Sequence, residues 1–178
     1  MNHKIEQFHQ GIKAKISEIN AQIEKNHKEN RANLIGYFTF SLHLTHKADE
    51  ENLCLGSYHV RNLTGKTITN PYICIHIPKD APFSFTGKYV YEAHLKKAKN
   101  PDGWLRMNAT EHPEKFWLKP LQHQSIRPNE TISFTDFQVK WTPKKAYAGS
   151  IMGFTYSEEH QEGIAAINAI NLSGGGYS

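Results

Sequence analysis

Gly65-Lys66-Thr67 has the residue types that end a phosphate-binding loop, and it is the first grouping to weigh for chemistry. Such a loop cradles phosphates with backbone N–H groups and needs another glycine five residues earlier and a helix afterwards. The earlier position is Val60, and Ile68 to Ile77 alternates as a strand does, so the reading here is a hairpin turn. His43 and His46 would share a metal on a helix, but three residues apart on a strand they face opposite ways. His59 and His76 fall on separate strands and could meet across a sheet, although the His-x-His pair and glutamate that would complete such a metal site are missing. Cys54 and Cys74 are the only cysteines, at a spacing that suits neither zinc nor a redox pair. Both fall on strands, where a free thiol behaves as a small buried hydrophobe; a bridge between them stays open geometrically.

Catalytic groupings are sparse. A serine nucleophile on a Gly-x-Ser-x-Gly elbow is absent from the sequence. Asp136, Glu158 and Glu159 are carboxylates that could converge for glycoside hydrolysis, but nothing in their spacing directs them together. The reading is therefore a non-enzyme, with no catalytic residue, no cofactor and no metal. Trp104, Trp117 and Trp141 offer different chemistry, since an exposed indole can stack on the apolar face of a sugar ring. Trp141 closes an alternating run and reads as core. Trp104 and Trp117 flank an irregular stretch and are the candidate ligand-binding residues, against the general tendency of tryptophan to be buried.

Charge narrows the partners further. The net charge is +4, carried by scattered groups such as Lys13/Lys15, Lys96/Lys97/Lys99 and Lys144/Lys145. A nucleic-acid binder concentrates basic residues on one face, so nucleic acid is not the expected partner. Each of the 11 histidines adds positive charge when mildly acidic pH protonates it. No run of 18 apolar residues provides a membrane span, and the polar first residues lack the apolar core of a signal peptide. The expected location is cytoplasmic, or exported without a classical signal. The sequons at Asn62, Asn108, Asn129 and Asn171 then read as chance.

Two periods of hydrophobicity organise the chain. Ile5, Phe8, Ile12, Ile16, Ile19 and Ile23 recur at intervals of three and four residues, which predicts one face of a long amphipathic helix. The stripe does not hold a heptad, because Lys15 and Gln22 fall where a two-stranded coiled coil needs apolar d positions. It is thus a docking stripe. Each buried Ile or Phe is worth about 1.5–3 kcal/mol, too much to leave in water, so these six residues are the candidate partner-binding set.

From Leu34 the period changes to two. Leu34, Gly36, Phe38, Phe40, Leu42 and Leu44 share one face, which predicts one-sided burial in an antiparallel sheet. Further strands are expected over 53–63, 67–77, 83–91, 116–118, 130–141, 146–156 and 163–172, with a short one at 104–107. In 130–141 the apolar parity slips between Phe134 and Phe137, as a β-bulge would produce. About eight strands without helical pattern argue for a sandwich. The domains expected are a helical arm at 1–33, a β-sandwich at 34–173 and a flexible glycine-rich tail at 174–178.

Two segments, Tyr58-His-Val-Arg-Asn-Leu-Thr-Gly-Lys-Thr-Ile-Thr-Asn-Pro and Ile126-Arg-Pro-Asn-Glu-Thr-Ile-Ser-Phe, resemble immunoglobulin-like bacterial modules. The resemblance implies an antiparallel immunoglobulin-like fold and carries over no functional residue. The expected whole is mainly β, an immunoglobulin-like sandwich preceded by one amphipathic helix. Its expected function is a binding or assembly module, docking through the helix on a protein partner or on a second copy as a homo-oligomer. The alternatives are a carbohydrate-binding or adhesin-like sandwich using Trp104, Trp117 and nearby exposed tyrosines, and an enzyme with a site outside known motifs.

Overall fold

The computed structural model describes residues 15–17, 34–45, 47–97, 103–107 and 112–176. The chain divides into two units, Met1–Asn33 and Leu34–Ser178. In the first, residues 15–17 are helical and Ile16 is 52% exposed. Ile5, Phe8, Ile12, Ile19 and Ile23, and with them most of the expected long helix, lie outside the described residues.

The second unit is built from antiparallel sheets. Its strands are β1 (Leu34–His43), β2 (Asn52–Asn62), β3 (Ile68–Thr69), β4 (Tyr72–His76), β5 (Ser84–Thr86), β6 (Tyr89–Tyr91) and β7 (Trp104–Met107). Then come β8 (Lys115–Pro120), β9 (Ser125–Ile126), β10 (Thr131–Trp141), β11 (Tyr147–Tyr156), β12 (Ile164–Ala165) and β13 (Ile170–Gly174). A four-stranded sheet runs β1-β2-β10-β5, and a larger one runs β12-β11-β4-β8-β7-β6 with β13 also beside β11. A small β3-β9 pair completes the set, and β6-β7 is the one parallel pairing among the described strands.

Alternation decides which side chains lie between the two sheets. Leu34, Phe38, Tyr58, Phe134 and Phe137 come from the smaller sheet, and Ile73, Ile75, Leu118 and Ile151 from the larger, all buried in one apolar core. Tyr58 crosses the layer. Its hydroxyl is hydrogen-bonded to that of Thr155 at 2.9 Å, and burial pushes its pKa up to about 12. A Cβ at Gly36 would stand 2.1 Å from the Tyr58 hydroxyl, and one at Gly153 would stand 2.2 Å from its ring. Only glycine leaves room for the ring at both places. Trp141 is core as expected, while Cys54 and Cys74 are buried free thiols rather than a disulfide.

The expected bulge is present, with the β10–β2 register shifting between Phe134 and Phe137. Several expected strands are subdivided. The run 67–77 breaks at Asn70, which adopts a φ of 48°, so Ile68–Thr69 pairs with β9 while Tyr72–His76 joins the larger sheet. The run 83–91 divides between sheets, β5 lying beside β10 and β6 beside β7. Ser173 and Gly174 pair with Ala148 and Tyr147, so the last strand runs into the start of the glycine-rich tail. One-sided burial of β1 also needs correction. It holds from Leu34 to Phe38, whereas Phe40, Leu42 and Leu44 are exposed on the same face.

Candidate aromatic cleft on the larger sheet

The outer face of the larger sheet is unusually aromatic for a solvent-facing surface. Strand alternation that sends Ile73, Ile75 and Leu118 inward sends Tyr72, Cys74 and Trp117 outward. Phe154, Cys74, Trp117 and Met107 are successive cross-strand partners on β11, β4, β8 and β7. In the neighbouring row Tyr156 pairs with Tyr72. The Tyr72 and Tyr156 rings stack at 5.1 Å with planes 9° apart, and Trp117 leans on Tyr156 at 5.1 Å. All three rings are half-buried. Burial raises the Tyr156 hydroxyl above its ordinary pKa of 10.0, so at neutral pH it remains a neutral donor and acceptor.

Tyr72 and Trp117, with Met107, line a cleft of about 740 Å³ whose polar margin is formed by Asn70, Lys119, Glu158 and Gln161, and Tyr156 packs beside them outside its lining. The margin is held in place by the turn before β4. The Thr69 backbone N–H donates to both Glu159 carboxylate oxygens, at 3.0 and 3.1 Å, and its hydroxyl donates to Oε1 at 2.6 Å. The same hydroxyl lies 3.1 Å from Glu158 Oε2, and the Asn70 amide donates to Glu158 Oε1. Backbone Glu158 N–H closes onto Thr69 carbonyl at 3.1 Å. Partial burial works to raise the Glu159 pKa, but the Thr69 hydroxyl and N–H outweigh it and hold the carboxyl down to about 2. Glu159 is therefore a fixed anion at neutral pH and no proton donor.

Of the two candidate tryptophans, only Trp117 reaches this cleft. Trp104 is 5% exposed, packs edge-on against Phe134 at 5.6 Å and donates its ring N–H to the Ser133 carbonyl at 3.3 Å. It is a core side chain, which corrects its assignment as an exposed ligand-binding residue. The reason is placement: β7 lies inside the larger sheet, between β6 and β8, with Trp104 on the inward side. Which tyrosines join Trp117 is not set by local spacing, although the parity that puts Ile73 and Ile75 in the core also turns Tyr72 outward.

The remaining sequence groupings stay apart. Asp136 sits on β10 with its carboxylate 2.6 Å from the Lys88 ammonium, while Glu158 and Glu159 are bound to Thr69 and Asn70. His59 belongs to the smaller sheet, stacked on Tyr37 at 4.9 Å and hydrogen-bonded to Thr39 and Ser133, whereas His76 belongs to the larger. Burial lowers the His59 pKa. His46 lies outside the described residues. Among the described residues no group of three or more His, Cys, Asp or Glu side chains could hold a metal ion, and no helix is long and apolar enough to cross a membrane. Gly65-Lys66-Thr67 leads into β3 rather than a helix, and the buried Asn62 amide donates to the Lys66 and Ile126 carbonyls at 2.8 Å.

No protein-family model matches the sequence, and no curated protein matches it. Among solved structures, the chain is similar to a cohesin module from a family 33 glycoside hydrolase of Clostridium perfringens. The identity is 10% and the TM-score 0.41, over 80% of this chain and 97% of that one. It is also similar to a GH20 exo-β-N-acetylglucosaminidase from Vibrio harveyi at 9% identity and a TM-score of 0.32, over 80% of this chain but 17% of the enzyme. A structural-genomics target matches at 14% identity and a TM-score of 0.35, over 80% of this chain and 87% of that chain. Scores this low transfer no ligand, partner or activity.

Proposed function

We propose that this protein is a non-enzymatic binding module of immunoglobulin-like sandwich type, and that its ligand face is the cleft lined by Tyr72 and Trp117. The observation that carries the proposal is the convergence of two partly exposed rings, Tyr72 and Trp117, on one cleft edged by Asn70, Lys119, Glu158 and Gln161, with Tyr156 packed behind them. A sugar ring offers an apolar C–H face to an aromatic platform and hydroxyls around its rim. Asn70, Glu158 and Gln161 supply donors and acceptors for those hydroxyls, and Lys119 adds donors. Ligand sites of this kind are mostly apolar with a few placed polar groups.

Titration calorimetry with cello-, xylo- and chito-oligosaccharides tests the reading. Binding of one of these series is expected, with affinity lost in Trp117→Ala and in Tyr72→Ala while the melting temperature changes little. Trp104→Ala is the opposite control, since emptying a buried tryptophan site costs about 3–5 kcal/mol. Absence of binding to all the sugars, or unaltered binding by Trp117→Ala, would sink the proposal.

A second reading, docking of the arm on a protein partner, is favoured by the solvent exposure of Ile16 within helical residues 15–17. Ile5, Phe8, Ile12, Ile19 and Ile23 would form the rest of that contact. An Ile12→Asp, Ile16→Asp variant would then lose the partner and keep any sugar binding.

A further inference from the structure

The smaller sheet ends in β1, a ten-residue strand with one side unpaired by any other strand among the described residues. Its first half is closed off. Ile167 N–H donates to the Gly36 carbonyl at 2.9 Å, and the Asn168 side chain both accepts from Phe38 N–H at 2.8 Å and donates to Phe38 carbonyl at 2.9 Å. Since outward main-chain groups recur at every second residue of an antiparallel edge, the next ones belong to Phe40 and Leu42. Their side chains are 42% and 43% exposed, and Leu44 beyond them is 50% exposed.

This half-edge lacks the features that normally prevent sheets from joining. Natural edges are kept short or carry lysine, proline or charge. Here β5 and β6 are three residues long and β12 is two. By contrast, residues 34–46 contain no Asp, Glu, Lys, Arg or Pro.

We propose that Thr39–His43 pairs with the same segment of a second copy of this chain, antiparallel about a two-fold axis at Ser41. The register follows from the two ends of the free segment, Asn168 blocking Phe38 and the strand stopping at His43. Phe40 then exchanges both main-chain bonds with Leu42 of the partner subunit, and Leu42 does so with Phe40 of the partner subunit. Thr39 faces His43 of the partner subunit and Ser41 faces its own copy, so no like fixed charges oppose each other. The exposed Phe40, Leu42 and Leu44 side chains gather on one face of the joined sheet. The contact is independent of the aromatic cleft, which lies on the other sheet.

Sedimentation equilibrium on the full chain tests this. The mass should rise with concentration from 20.4 kDa to twice that value, and the Phe40→Lys, Leu42→Lys double variant should stay at the lower value with an unchanged circular dichroism spectrum. Leu63→Lys, at an exposed site beyond β2, should dimerise like the wild type. Hydrogen exchange supplies a second readout: protection of the Phe40 and Leu42 amides should grow with concentration, while the Thr39 and Ser41 amides, already paired with β2, should not change. A chain that stays monomeric, or a dimer that survives the double substitution, overturns the proposal. Concentration-independent protection at Phe40 and Leu42 overturns it too, by assigning the edge to a segment of the same chain.

Discussion

Thr69 binds Glu159 with its backbone N–H and its hydroxyl together, and this one residue anchors the margin of the cleft. The arrangement has a measurable acid signature. The folded Glu159 pKa of about 2 lies below its ordinary 4.5, so the unfolded chain takes up its proton first as the pH falls. A depressed pKa contributes stability that is present above the unfolded value and is lost progressively as pH drops toward the folded one. Denaturant midpoints should therefore decline between about pH 5 and pH 2, and Glu159→Gln should flatten that decline while lowering stability at pH 7. The side chain is largely exposed, so solvent screens the effect and it should be modest. At this scale the sequence was half legible. Trp117 could be singled out because tryptophan beside an irregular stretch is conspicuous. Trp104 met the same criterion yet is buried, since a four-residue strand shows too little alternation to reveal which side faces inward. The role of Thr69 depends on a contact with residues 90 positions away, for which local spacing holds no signal.

The β10 bulge shows what an element contributes. Thr135 and Asp136 intervene between Phe134 and Phe137, so that both phenylalanines reach the core although their parities differ. Asp136 accommodates the extra residue with a φ of 59°, in the left-handed region. L-residues pay about 1–2 kcal/mol there, aspartate and asparagine less than most. Asp136→Gly should accordingly stay near wild-type stability or exceed it, and Asp136→Val should lower it by about 1–2 kcal/mol in urea unfolding. Loss of the exposed Lys88 ion pair in both variants contributes little. The bulge was readable because an eleven-residue strand displays parity clearly. The change of sheet between β5 and β6 was not readable: alternation continues across it, and the cue is Gly87, where a Cβ would lie 2.5 Å from the Phe134 ring. That crowding becomes visible only once β10 is in place.

Across the whole molecule, the partners of the central strands are far apart in sequence. β2 pairs with β10, joining Asn52 to Trp141, and β4 pairs with β11, joining His76 to Met152. Proteins dominated by such pairings fold on the order of milliseconds to seconds. Stopped-flow refolding followed by tryptophan fluorescence should give a main phase in that range, and a microsecond phase carrying most of the amplitude would contradict it. The class of fold was legible at this scale because period-two hydrophobicity survives any connectivity. The order of strands was not, since alternation names a face and never a neighbour.

The same β2–β10 pairing sets a timetable during synthesis. A ribosome adding about 5–20 residues per second needs on the order of ten seconds to travel from Asn52 to Trp141. For that interval β2 can zip to β1, but its other edge has to wait for β10. Because the wait exceeds the folding time expected for the complete chain, translation rather than the conformational search would pace the folding of this body. The nascent chain is then most dependent on a chaperone in the stretch before β10 is released.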